Sequence, residues 1–212
     1  YFARLPSHIT PEVKFVCVDR PTFGAAETVL RGIEALSFDR LNVPSVLLDG
    51  DTFYIADVLE IYRGMVRDLD VTKSAHASGG GVAVFDDDGP NGSPYSYVKI
   101  EHHSGLITRI KEKNKQGMSP LACSGCYCFH HTKTLMTEIQ SALKLYLQNM
   151  NTLEDQSELY TSSIIAKMLE NGGEFQPIKL KATDFKVLGT PEQLKAFIAL
   201  GDISKSKKRF CF

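Results

Sequence analysis

The chain has 212 residues, 24 basic against 25 acidic side chains for a net charge of -1, and 43% hydrophobic residues. That apolar content is enough for a buried core and excludes a chain disordered throughout. No apolar run nears the roughly 18–20 residues of a membrane-spanning helix, and the balanced charge argues against a nucleic-acid polymer as partner.

Residues 14–18, Lys-Phe-Val-Cys-Val, read as a short buried strand. From 25 to 36 the residues Val29, Ile33 and Leu36 recur at helical spacing and mark an apolar face. Residues 43–48 read as a second buried strand and 55–66 as a helix. This alternation implies a parallel sheet with helices on its faces. The middle of the chain changes character. Strands are expected at 79–85, 95–101, 105–111 and 122–129, with His102 and His103 in a hairpin turn, and this set reads as mixed or antiparallel. Two helices follow, one with Leu135, Ile139, Ala142 and Tyr146 on its inner face and one over 158–169. Short strands are expected at 175–180 and 185–188. A last helix opens with Thr190 as N-cap, Pro191 at the first helical position and Gln193 three after the cap, with Leu194, Phe197 and Ile198 facing inward. One α/β domain with a central mixed sheet of about seven strands accommodates all of this.

Chemistry-bearing residues gather at a few places. Asp49 and Asp51 flank Gly50 at the end of a buried strand, where ligands of open α/β sheets bind. Carboxylate oxygens there suit Mg²⁺, which takes its remaining ligands from phosphate and water; an ordinary Asp-Gly turn is the competing reading. Gly24 follows a strand candidate and opens a helix, as an N-cap or as a point of close backbone approach to a ligand. Cys123, Cys126 and Cys128, followed by His130 and His131, invite a zinc reading. Strand geometry opposes it, because Cys126 and Cys128 face one side and Cys123 the other. The odd total of five cysteines points to reduced thiols and a cytoplasmic setting. Asp86, Asp87 and Asp88 lack EF-hand spacing and read as a solvated turn, and Lys207 to Arg209 as a linker.

Six segments in order resemble the sugar-phosphate nucleotidyltransferases, which make nucleotide sugars from a nucleoside triphosphate and a sugar 1-phosphate. They are Pro21-Thr-Phe-Gly-Ala-Ala-Glu-Thr-Val-Leu30, Leu48-Asp-Gly-Asp51, Gly81-Val-Ala-Val-Phe85, Ile110-Lys-Glu-Lys113, Ser124-Gly-Cys-Tyr-Cys-Phe129 and Leu188-Gly-Thr-Pro-Glu192. The resemblance implies a three-layer, Rossmann-like nucleotidyltransferase fold of the GT-A-like type. It implies that Asp51 holds Mg²⁺, that Glu112 accepts from sugar hydroxyls and that Lys113 meets phosphate charge. It also implies that Gly24 lets the backbone approach the base, and that Gly81 and Gly125 make room for the sugar. Glu112 and Lys113 are equally compatible with a charged strand end, and both reach one ligand only where the strand stops.

Two departures stand out. The family's opening strand and glycine-rich triphosphate loop have no counterpart, so residues 1–203 are expected to be a partial domain without turnover that exposes sheet surface able to drive self-association. The family's second metal-binding Asp falls at Val187; either Asp49 substitutes, or the metal binds weakly, or the chemistry is absent. A glycosyltransferase using Asp49 and Asp51 as an Asp-x-Asp motif, and a non-catalytic sugar- or nucleotide-binding domain, are the alternative readings. Residues 204–212 read as a basic linker, and Arg209-Phe-Cys-Phe212 resembles the first strand of haloacid-dehalogenase-like phosphatases.

Overall fold

The computed structural model describes residues 13–67, 78–89, 94–149 and 158–199. The linker and terminal segment at 204–212 lie outside them. Five α-helices are described: α1 (Ala25–Glu34), α2 (Val58–Arg67), α3 (Thr132–Asn149), α4 (Thr161–Glu170) and α5 (Pro191–Ala199). The strands among these residues are β1 (Ser45–Leu48), β2 (Thr52–Tyr54), β3 (Gly80–Asp86), β4 (Ser96–Ile100), β5 (Ile107–Glu112), β6 (Leu121–Phe129), β7 (Phe175–Leu180) and β8 (Phe185–Val187). Six form one sheet in the order β1-β6-β3-β7-β5-β4, with β4 also touching the start of β6, and β2 pairs with β8 as a separate ribbon.

The sheet is mixed, as expected, but the parallel start is not what forms. Among the described residues β3 and β7 are the parallel pair, while β1 lies antiparallel to β6. Residues 13–18 enter no strand ladder among the described residues, and Phe15 is 92% exposed. A β-branched and aromatic run favours a strand only where a neighbouring edge takes its N–H and C=O groups.

Every residue of β6 is buried, as a central strand covered on both faces requires. Its odd positions Leu121, Cys123, Tyr127 and Phe129 join Val82, Val84 and Phe175 in a core capped by α1, α3 and α4. Phe129 and Phe175 meet edge to face there, ring centres 6.1 Å apart. The even positions Cys126 and Cys128 join Val58 and Tyr62 of α2, Ala83, Ile178, Leu180 and Phe185 in a second core. The domain is therefore three-layered. The cysteines divide between two cores on opposite faces, and the four described cysteines are free thiols.

Helix faces differ from the expected ones in two places. α1 turns Ala26, Leu30 and Ile33 inward, and Leu36 lies beyond its end, exposed. α5 buries Phe197 against Phe53, with ring centres 5.5 Å apart, and leaves Leu194 and Ile198 exposed. Its start forms as read: the Gln193 N–H donates to Thr190 Oγ1 at 3.2 Å and the Thr190 N–H donates to Gln193 Oε1 at 2.9 Å, a reciprocal capping box. His102 and His103 are exposed in the β4–β5 turn. Asp87 is not a solvated turn residue. It accepts from Tyr97 Oη at 2.5 Å and from the Gly89 N–H at 3.1 Å, with Lys115 Nζ 3.5 Å away, and these partners, Tyr97 first, hold its carboxyl below the usual range.

One buried charge organises the first helix. Glu27 is fully buried and accepts from Arg20 at 2.6 Å, from Arg31 at 2.9 Å and from the Phe23 N–H at 2.8 Å. Burial alone would raise its carboxyl pKa, but these donors win and hold it below the ordinary 4.5. A carboxyl depressed on folding stabilises the native state above the unfolded pKa and loses that contribution as pH falls through the folded one. Glu27→Ala is therefore expected to lower stability by about 3 kcal/mol at pH 7 in urea titrations. The difference from the parent should shrink below pH 4.5; an effect under about 1 kcal/mol would contradict the account.

Candidate functional site

The site starts from an irregularity in the central strand. On β3 the step from Val82 to Val84 spans two residues, but their partners on β6 are Tyr127 and Cys123, four apart. β6 therefore bulges around Gly125, whose φ of +86° glycine adopts without the penalty a side chain would meet. Two carbonyls leave the ladder and find other donors. The Asp49 N–H donates to Gly125 O at 2.9 Å, and Tyr54 Oη donates to Ser124 O at 2.7 Å. The chain thus leaves the main sheet at Leu48, which is paired with Cys126, turns through Asp49-Gly50-Asp51, and enters the ribbon at Thr52, opposite Val187.

Both acids are walled by glycines. A Cβ at Gly125 would collide with the Asp49 carboxylate, and one at Gly189 with the Asp51 carboxylate. Gly189 is held in place because the Leu188 N–H donates to Asp51 O at 2.7 Å and Thr190 caps α5.

Across from them, β5 ends at Glu112, and Lys113 takes a left-handed φ of 49°. The strand does stop at this pair. Glu112 accepts from Ser96 Oγ at 2.5 Å and from Ser162 Oγ at 2.7 Å. Lys113 Nζ lies 3.0 Å from Tyr160 Oη.

Asp49, Asp51, Glu112 and Gly125 line one cleft of about 400 Å³, together with Tyr160, Ser162, Val187 and Gly189. Lys113 is not among the lining residues, but its ammonium rests on Tyr160 at the rim. Two expected ligand-facing glycines are elsewhere. A Cβ at Gly81 would press on Ile178 and Met65 in the second core. Gly24, with φ +138°, lies against the Leu159 backbone, which bonds to Phe23 and Ala26 on either side of it. Each allows a close approach within the chain itself, and it is Ala25, the next residue, that reaches the cleft. Ser96, Ser162 and Tyr160 carry no sequence signal, since their spacing from Glu112 exists only in the fold. Gly189 was legible through the Gly-Thr-Pro-Glu segment alone.

Like charge accumulates here. Burial first, then Asp51 and Glu112, push the Asp49 carboxyl above its usual range. Among the described residues no three acidic, histidine or cysteine side chains approach closely enough to enclose a metal ion unaided. Two carboxylates across one glycine suit a hard cation whose other ligands come from phosphate and water, not an all-protein cage.

No family model and no curated protein matches the chain. Solved structures do match. The nucleoside-diphosphate-sugar pyrophosphorylase from Vibrio cholerae RC9 is 21% identical over 86% of this chain and 67% of its own, with a TM-score of 0.59. A UDP-glucose pyrophosphorylase complexed with UDP-glucose is 16% identical over 84% of this chain and 62% of its own, TM-score 0.57. The inositol-1-phosphate CTP transferase from T. maritima is 12% identical over 90% and 65%, TM-score 0.53. The fold is the GT-A-like nucleotidyltransferase fold. The chain spans about two thirds of the length of these proteins.

A carboxyl raised on folding opposes the native state above its folded pKa, and that cost disappears as pH falls below the unfolded one. Without divalent cations, Asp49→Asn is therefore expected to raise the melting temperature at pH 7 by about 2 °C, a gain that vanishes near pH 3 to 4. The same variant should weaken Mn²⁺ binding about tenfold in a calorimetric titration. An unchanged melting temperature together with unchanged Mn²⁺ affinity would refute this view of Asp49.

Proposed function

We propose that this chain is the greater part of a nucleotidyltransferase domain that brings a nucleoside triphosphate and a sugar 1-phosphate together in the cleft between Asp51 and Glu112. The observation that supports it most is the sharing of one cleft, at the bulge around Gly125, by two acids 61 positions apart. The fold's neighbours are named for nucleoside-diphosphate sugars, for UDP-glucose and for inositol 1-phosphate with CTP, which is in keeping with this reading.

In this reading Asp51, with Asp49 beside it, holds Mg²⁺. The ion supplies charge neutralisation at the phosphates and fixes their geometry. The sugar phosphate oxygen attacks the α-phosphorus and pyrophosphate leaves, so the protein's part is positioning and electrostatics. Glu112 accepts from a sugar hydroxyl. Lys113, held over the Tyr160 ring at 4.9 Å, is placed to swing onto phosphate charge. Gly125 and Gly189 keep the walls flat enough for both carboxylates to face inward.

A second reading rests on Val187. It lines the same cleft where the resemblance would place another carboxylate, and a domain that binds without reacting accounts for a valine there.

Calorimetry with UTP and Mg²⁺, and separately with glucose 1-phosphate, tests the first reading on this chain. Both ligands are expected to bind. Asp51→Asn should cost at least about tenfold for the nucleotide and little for the sugar phosphate, and Glu112→Gln the reverse. In a longer chain that carries a glycine-rich triphosphate loop, pyrophosphate release on mixing the two would select catalysis, and binding without release would select the second reading. Release of a nucleoside diphosphate from a nucleotide sugar would indicate glycosyl transfer. Failure of a panel of triphosphates and sugar phosphates to bind at all would remove the proposal.

A further inference from the structure

Glu112 is gripped by two serines that share one of its oxygens. Ser96 stands directly opposite Glu112 in the β4–β5 pairing, and its hydroxyl donates to Oε2 at 2.5 Å. Ser162, in the first turn of α4 and 50 residues further along the chain, donates to the same Oε2 at 2.7 Å. Ser96 is 6% exposed and Ser162 2%. These are buried hydroxyls that need an acceptor, and the carboxylate is the acceptor they share. Among the described residues no hydrogen bond reaches Oε1.

The arrangement has a directional consequence. A glutamate side chain turns about three torsions, the last of them broad, and one donor on the carboxylate leaves all three largely open. Two donors on one oxygen, from a strand and from a helix that cannot move together, define the plane of the group. The rotamer freedom an exposed acid would lose on binding is already lost on folding, which is preorganisation. Glu112 and Ser162 also line a second cavity of about 210 Å³ between β5 and α4, together with Ile110, Ala166 and Lys167. Without the serines the side chain would have space to turn away from the cleft.

We infer that Ser96 and Ser162 are positioning residues that lock the Glu112 carboxylate in a single orientation and present only Oε1 to the ligand. The inference rests on the proposed role of Glu112 as acceptor for a sugar hydroxyl. It adds a reason for that acid to discriminate among hydroxyl positions, because a fixed acceptor selects by direction where a mobile one tolerates several.

The test uses this chain, the double variant Ser96→Ala with Ser162→Ala, the single variant Ser162→Ala in case the double fails to fold, and Ser162→Thr, which keeps the hydroxyl. Three-bond NMR couplings along the Glu112 side chain report its rotamer without any ligand. They are expected to indicate one rotamer in the parent and in Ser162→Thr, and averaging in the alanine variants. Calorimetry should show glucose 1-phosphate binding weakened about tenfold in the double variant, within about twofold of the parent in Ser162→Thr, and Mg²⁺-UTP binding unchanged. Couplings that stay unaveraged in the alanine variants overturn the inference whatever binds. So does an equal loss of sugar phosphate and nucleotide, which would mark a general structural effect. If the parent binds no sugar phosphate while the alanine variants free Glu112, the locking stands and the proposed function is what fails.

Discussion

The site depends on two carbonyl groups that the central strand cannot use itself. Where β6 bulges, Ser124 O and Gly125 O leave the ladder, and a buried carbonyl without a donor is costly. Tyr54 Oη and the Asp49 N–H supply the donors. These two residues bracket the Asp49-Gly50-Asp51 turn, so the bulge fastens that turn on both sides. Backbone satisfaction in the middle of the sheet thereby sets where two carboxylates stand at its edge. Gly125 does this because a left-handed residue in a strand reverses the local direction of its peptide groups, and because any side chain there would displace Asp49.

The electrostatics follow from that placement. Asp49 and Asp51 are carried by one short loop, and Glu112 lines the same cleft from the end of β5, so negative charge collects there. Lys113, the residue after Glu112, has its ammonium on Tyr160. A fold selected for stability alone would relieve such repulsion by a single amide substitution. The proposed site for a cation and phosphates would account for such repulsion, since a strained ligand-free site recovers the cost on binding. Elsewhere the chain treats buried charge differently. Glu27 has two arginines and a backbone N–H around it. The contrast separates an acid whose charge is matched within the fold from acids whose charge is not, as the proposed cation and phosphate site would need.

The elements legible in the sequence were those whose signal is local. The capping box at Thr190 and Gln193, the strand at 122–129 and the division of Cys123 from Cys126 and Cys128 follow from residue type and spacing, and the structure contains each. The strand end at Glu112 and Lys113 was posed as a condition and is met by the left-handed φ of Lys113. What was not legible depends on pairing across distance. Residues 14–18 have strand composition but join no ladder among the described residues, because composition does not create an edge to pair with. Gly24 and Gly81 were assigned to ligands because a glycine shows only that something comes close, and here it is Leu159 and Ile178. Ser96 and Ser162 are ordinary residues whose meaning appears only when β4 and α4 meet at one carboxylate.

Val187 bears on how the site would work. The β2–β8 register sets it opposite Thr52, one residue past Asp51, and it lines the cleft. A carboxylate at that position would bring protein oxygen from a second element, making cation geometry depend on how the ribbon packs. With valine there, both available carboxylates come from the 49–51 loop, and β8 contributes shape where it would otherwise contribute charge. Two carboxylates on one loop can satisfy two positions of an octahedral ion and leave the rest to phosphate and water. The proposed metal affinity therefore rests on the loop alone. The loop in turn rests on the bulge, through the Asp49 N–H to Gly125 and the Tyr54 hydroxyl to Ser124. Coupling of this kind would make the proposed nucleotide binding depend on Tyr54, which packs against the second core and does not line the cleft.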